Sequence, residues 1–308
     1  MKVSIIGGAG RVGSNAAYAL QIGGIVKELA LIDVMKEVAA GEALDLRHGA
    51  SVAASQRIYA GGYEVAEGSD IVMVTAGLRR KPDESRLQLI NRNVTLFKSV
   101  CEEIKKVKLS EHCILFVVAN PVDILTYLGI KLLGFPSHRV IGLGTVLDTT
   151  RFRSMIAEKI QVDPTKVNAL ILGEHGDSMV PIWSSATVNG ILLSSMPGFT
   201  ENVAKETFEF TKKSGAEVIK LKGGAGYAVG LAIKEVTEAI ALNKQSVLPV
   251  SSLQSGMFDM RDVCLSVPTI VGRKGVEKLI EPVLSPKEKT DLQNSAKVLG
   301  EILKQIQL

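Results

Sequence analysis

The chain has 308 residues, 46% of them hydrophobic and 22% charged, with a formal net charge of +4. That balance excludes disorder and supplies enough apolar material for one large core or two smaller ones. The slight surplus of base is spread among acids, which argues against a nucleic-acid binder, and no apolar run approaches the roughly 18 residues of a bilayer span.

The opening MKVSIIGGAG has an apolar stretch too short for a secretory signal, so a cytoplasmic location is expected. Cys101, Cys113 and Cys264 form no CxxC pair and are expected as buried free thiols, serving neither a disulfide nor a metal.

In chain order, KVSIIG (2–7), ELALID (28–33), DIVMVTA (70–76), CILFVVA (113–119) and RVIGLG (139–144) read as buried strands. They are short, rich in Val and Ile, and bounded by Gly, Asp or Asn. Amphipathic stretches between them, at 11–23 and 85–106, read as helices. Strands alternating with helices predict an α/β fold, a doubly wound parallel sheet with ligands at the carboxyl ends of its strands.

The first strand runs into Gly8-Ala9-Gly10-Arg11-Val12-Gly13 and then a helix. Glycines at these spacings permit a tight turn, let the backbone approach a pyrophosphate, and allow close helix packing. The second strand ends in Asp33, a carboxylate placed to accept both ribose hydroxyls. It would repel a 2′-phosphate, so NAD is expected, with NADP the lesser alternative. The segment LRRKPDESR (78–86) then concentrates positive charge just after the third strand.

From about 143 the texture changes to an α+β pattern. A helix over LDTTRFRSMIAEKI precedes VNALILGEHG and WSSATVNGILLS, which read as antiparallel strands. Helices are expected over 200–221 and 227–243, then strands in VLPVSSL and VCLSVPTIVG, and a last helix after Ser285-Pro286. The expected division is a Rossmann domain over 1–142 and a substrate-binding, catalytic domain over 143–308.

His175 stands between glycines at a strand end in GEHGDS, whereas His48, His112 and His138 lie in polar surroundings and read as surface residues. Asp148 and Arg151, three apart on one helix, share a face and can both point into one cleft. An acid paired with one imidazole nitrogen fixes the tautomer and makes a proton donor near neutral pH.

The ordered blocks GGAGRVG, TAGLRRKPDESR, VANPVD, GLGTVLDTTRFR and GEHGDS resemble the lactate/malate dehydrogenase superfamily over essentially the whole chain. They look most like its lactate-dehydrogenase-like malate dehydrogenases. The resemblance implies that His175 is the acid/base with Asp148 its partner, that Arg151 clamps the substrate carboxylate, and that Arg86 polarises the keto oxygen. It implies that Asn120 hydrogen-bonds the substrate and, with Val118, Ala119 and Asn93, lies at the cofactor, with Arg79 reaching the pyrophosphate. LRRKPDESR becomes a lid in which Arg80 reads the group on the substrate's third carbon.

Lactate dehydrogenases commonly carry Gln at the position of Arg80, and usually Thr where this chain has Ala225. Arg80 would pair with the second carboxylate of oxaloacetate, a charged hydrogen bond of roughly 1.5–3 kcal/mol. The expected activity is therefore NAD-dependent malate dehydrogenase, a tricarboxylic acid cycle reaction, with L-lactate dehydrogenase or a broad 2-oxoacid reductase as the alternative. A homotetramer or homodimer is expected, with a small dicarboxylate as the ligand.

Overall fold

The computed structural model describes residues 1–79, 81 and 83–306. Strand β1 (Lys2–Ile6) leads into α1 (Arg11–Gly23), and β2 (Glu28–Ile32) into α2 (Lys36–Gly49). Strands β3 (Arg57–Gly61) and β4 (Ile71–Val74) follow, then α3 (Arg86–Lys105), β5 (Ile114–Val117), α4 (Val122–Leu133) and β6 (Val140–Gly142). These strands are parallel, in the order β3-β2-β1-β4-β5-β6. The order reverses between β1 and β4, and a crevice for ligands opens there at the carboxyl ends.

The second half starts with α5 (Val146–Ile160), which packs on an antiparallel sheet of β7 (Val167–Leu172), β8 (Val180–Val188) and β9 (Ile191–Leu192). Helices α6 (Glu201–Lys222) and α7 (Tyr227–Ala241) come next. Strands β10 (Ser246–Leu248), β11 (Ser251–Ser255), β12 (Arg261–Ser266), β13 (Thr269–Gly272) and β14 (Gly275–Leu279) precede α8 (Pro286–Gln305). β11 and β12 extend the large sheet beyond β6 in antiparallel sense, with Ser251 opposite Gly142. β10, β13 and β14 form a separate antiparallel sheet. The fold is thus α/β, a parallel Rossmann-type sheet followed by a part with antiparallel strands.

The pleat divides the core. Val72 and Val74 of β4 face one side, with Phe97 of α3, Leu128 of α4 and Leu292 of α8. Ile71 and Met73 face the other, with Leu20 of α1 and Ile233 and Val236 of α7. Each such side chain, fully buried, contributes about 1.5–3 kcal/mol before the cost of ordering the chain. A third cluster around Phe152 and Ile171 joins α5 to β7, with Trp183 packed edge-on to Phe152.

Elements α2, β3, α4 and β14 have no counterpart among those named from the sequence. The buried face of α2 is only Ala39, Ala43 and Leu46, too weak a periodicity to stand out. β3 is an edge strand whose only fully buried residue is Ile58. VLPVSSL and VCLSVPTIVG each divide at a proline, Pro249 and Pro268, and the pieces pair in different sheets. A residue without an N–H cannot continue a ladder. Cys101, Cys113 and Cys264 are all buried and free, and burial pushes the thiols of Cys101 and Cys113 up to about 12. Among the described residues no helix is long and apolar enough to cross a membrane.

Candidate active site

The turn after β1 is made at Gly7, whose φ of +91° suits glycine. The sequence reading gave this role to Gly8; what Gly8 does is let the turn lie on Leu31, 2.9 Å from where its Cβ would stand. A Cβ on Gly13 would meet the Gly7 carbonyl oxygen at 2.2 Å, so only glycine lets α1 start so close to the strand. No side chain caps α1. Its first amides and its positive dipole end are therefore available to an anion, the chemistry a pyrophosphate requires.

Asp33 follows β2, where Oδ2 accepts the Ala9 amide at 3.1 Å and Oδ1 the Met35 amide at 3.0 Å. The carboxylate is thus held at the mouth of the loop, where ribose hydroxyls fit. Val12 packs against the core, while Arg11 reaches across to the Lys222 and Gly224 carbonyls between α6 and α7. Val118 and Ala119 are buried after β5, and both amides donate to the Val74 carbonyl at 2.9 Å, so the amides are committed to the sheet.

At the same end of the sheet, His175 Nδ1 lies 2.5 Å from Asp148 Oδ2. Asp148 Oδ1 accepts from Arg151 Nη1 at 3.2 Å. Asp148 is buried in the first turn of α5, and the i, i+3 spacing brings Arg151 to the same face. Burial would raise the Asp148 pKa, but the charges of His175 and Arg151 and their hydrogen bonds prevail, and the direction is down. Burial would lower that of His175. The Asp148 charge and hydrogen bond, helped by Asp123, outweigh it against Arg151, and the direction is up. The site therefore favours the charged form of the imidazole beside a carboxylate, a group that can give and take a proton at its free nitrogen.

A cavity of about 230 Å³ lies beside this pair, lined by Arg86, Asn93, Asn120, Asp123, His175 and Leu299 among others. Asn120 is exposed, and its Oδ1 accepts the Val122 amide at 3.3 Å. Arg86 opens α3 behind the capping box of Ser85 and Gln88. Its guanidinium pairs with Glu174 at 3.0 Å and Asp177 at 2.6 Å, both on the loop that carries His175.

Asn93, expected near the cofactor, is buried on α3. Its Oδ1 accepts the Leu78 amide at 2.7 Å, and its Nδ2 donates to the Leu78 and Leu89 carbonyls. The amide is spent on the root of the basic segment. Glu84, at the other end of that segment, accepts the Lys81 amide and pairs with Arg92 at 2.7 Å. Arg79 is exposed and lies toward Gly224, and Ala225 packs into the α1–α7 core. Arg80, expected to read the substrate's third carbon, lies outside the described residues.

Two further acids, Asp123 and Glu174, are buried at the site without having been expected there. Both stand inside recognised blocks, VANPVD and GEHGDS, but an acid in a first helical turn or beside a glycine looks like a cap. His48, His112 and His138 are exposed, as expected.

Residues 1–142 match the lactate/malate dehydrogenase NAD binding domain, and residues 145–307 match the lactate/malate dehydrogenase alpha/beta C-terminal domain. The chain belongs to the lactate/malate dehydrogenase family. NAD is its cofactor, and the uncapped α1 end with the anchored Asp33 fits that molecule.

L-lactate dehydrogenase 1 of Clostridium acetobutylicum is 45% identical, over 99% of this chain and 98% of its own. The L-lactate dehydrogenase of Acetivibrio thermocellus is 44% identical over 100% and 98%. A ligand-bound minor L-lactate dehydrogenase from Enterococcus mundtii superposes with a TM-score of 0.95 at 38% identity, covering 100% of this chain and 98% of that one. These family members are named for lactate, whereas the sequence blocks pointed to the malate branch. Membership of the family as an NAD-dependent oxidoreductase stands, and the malate assignment draws no support from these relatives.

Proposed function

We propose that the chain reduces a 2-oxo acid to an L-2-hydroxy acid with NADH, and the reverse, with pyruvate and lactate the pair its relatives' names favour. The observation that carries this reading is His175 held by Asp148, with Arg151 on the same carboxylate. Arg151 offers a planar fork to the substrate's C1 carboxylate. Arg86 exchanges Asp177 for the substrate's keto oxygen and stabilises the charge developing there. Asn120 donates to the substrate from the end of β5. The bound nicotinamide supplies the hydride. His175 gives its proton to the oxygen, and Asp148 keeps the imidazolium charged and aimed until then.

A second reading, oxaloacetate and malate, is favoured by Arg80 and Ala225. A guanidinium closed over pyruvate's methyl would be left unpaired, while a second carboxylate would pair with it. Steady-state NADH oxidation with both oxo acids decides between them. A kcat/KM ratio in favour of pyruvate upholds the first reading, and one in favour of oxaloacetate the second. In the second case Arg80→Gln is expected to move the ratio toward pyruvate by about tenfold or more, from the loss of a charged hydrogen bond. A cytoplasmic location and an assembly of two or four copies complete the proposal.

A further inference from the structure

His175 touches a second carboxylate that the proposed reaction does not use. Asp123 sits in the first turn of α4 and is 3% exposed. Its Oδ2 accepts the backbone amide of His175 at 2.8 Å, and its Oδ1 accepts the hydroxyl of Ser251 at 2.6 Å. Ser251 belongs to β11, the strand that the second half adds to the large sheet beside β6. One side chain thus ties the His175 loop to α4 and to the extended sheet.

The neighbouring residues of that loop are fixed by other elements. Gly173 bridges Ser266 of β12, and the Glu174 amide donates to Ser295 of α8 at 2.8 Å. The amide of His175 itself depends on Asp123.

Both bonds could be made by a neutral asparagine. Its carbonyl would accept the His175 amide, and its NH₂ would donate to the Ser251 oxygen. What a carboxylate adds is charge, and burying charge is costly. That cost is visible in Asp123 itself: burial drives it up to about 6, against the hydrogen bonds from Ser251 and His175. The charged and titratable groups around it are few. The His175 loop presents His175 and Glu174, α5 presents Asp148 and Arg151 across the imidazole, and β12 presents the thiol of Cys264, which burial keeps neutral.

We propose that Asp123 is a positioning residue for the reaction, which anchors the His175 backbone and supplies a second negative charge that stabilises the imidazolium. Asp148 holds the ring and Asp123 holds the main chain, so that the proton donor rests in a cradle of two carboxylates. This inference rests on the reading of His175 as the acid/base.

The test compares wild type, Asp123→Asn, Asp123→Ala and His175→Asn in oxo-acid reduction from about pH 5 to 10, with NADH binding and thermal melting as controls for folding. Asp123→Asn keeps both hydrogen bonds and loses the charge. Its kcat profile is expected to move down by about half a pH unit or more, with NADH affinity and oxo-acid KM unchanged. Asp123→Ala removes the anchor as well, and its kcat at the optimum is expected to fall about 10–100-fold.

A purely structural residue would not move the pH profile of a folded, NADH-binding variant. An Asp123→Asn profile that superimposes on wild type overturns the charge role, and an Asp123→Ala kcat equal to wild type overturns the anchoring role. If wild type turns over and His175→Asn is inactive, either result removes this inference alone. If His175→Asn keeps the wild-type rate, the reading of the acid/base falls and this inference falls with it.

Discussion

Asp148 holds two basic side chains on one buried carboxylate, Arg151 on Oδ1 and His175 on Oδ2. The sign of the consequence follows from which effect prevails at the imidazole. Burial and Arg151 disfavour its charge, Asp148 and Asp123 favour it, and the outcome is a pKa above the ordinary value. Reduction needs the protonated ring, so its rate is expected to hold through the ordinary histidine range and fall as pH rises through the raised pKa. Oxidation needs the neutral ring and is expected to rise over the same interval. Asp148→Asn removes the larger favourable effect. Its reduction rate is expected to drop by about 10²-fold or more at neutral pH, with the falling limb displaced to lower pH, as pH–rate profiles in both directions would record. Asp148, Arg151 and His175 were legible as a set only through the ordered blocks GLGTVLDTTRFR and GEHGDS, because an acid and a base three apart on a helix more often serve as a cap and a surface pair. Asp123 was not, since its importance lies in a contact with an amide fifty-two positions away.

At the scale of the element, the basic segment is a strap fastened at both ends. Asn93, about two turns into α3, takes both backbone groups of Leu78 at the near end. Glu84 fastens the far end through Arg92 and the Lys81 amide, and the Ser85 capping box starts α3 immediately after it. Glu84 is thus a structural clamp within the basic segment. Asn93→Ala leaves Leu78 without its side-chain partners at a cost of about 1–3 kcal/mol in local order. Oxo-acid kcat/KM is expected to fall roughly tenfold, while NADH binding measured by fluorescence stays near wild type. Equal losses in both would place Asn93 at the cofactor, as the sequence resemblance implied. What hid this from the sequence is direction. The resemblance placed Asn93 near the cofactor, and nothing in the local pattern says which backbone its amide meets.

Across the whole molecule, the strands with the cleanest apolar runs, β1, β2, β4, β5 and β6, were readable because each is buried on both faces. α2 and β3, which cover less, were not, and neither was the transfer of the serine-rich β11 into the large sheet. That transfer depends on Ser251 pairing with Gly142, a long-range match that no local pattern encodes. It also ties the second half of the chain to the sheet that carries the cofactor loop. Helices α1 and α7 pack together and leave Tyr18, Ile22 and Leu231 more than half exposed. Apolar side chains left outward on packed helices favour association, and light scattering is expected to give a dimer or a tetramer, with Leu231→Glu shifting the mass downward. A monomeric wild type at micromolar concentration would contradict this.

The most direct test of the account is the rate of NADH oxidation by pyruvate and by oxaloacetate in wild type and in His175→Asn. Wild type is expected to turn over at least one of the two, and the variant to lose about 10²–10⁴-fold in kcat while still binding NADH. A variant that binds NADH and keeps the wild-type rate would show that the proton comes from elsewhere.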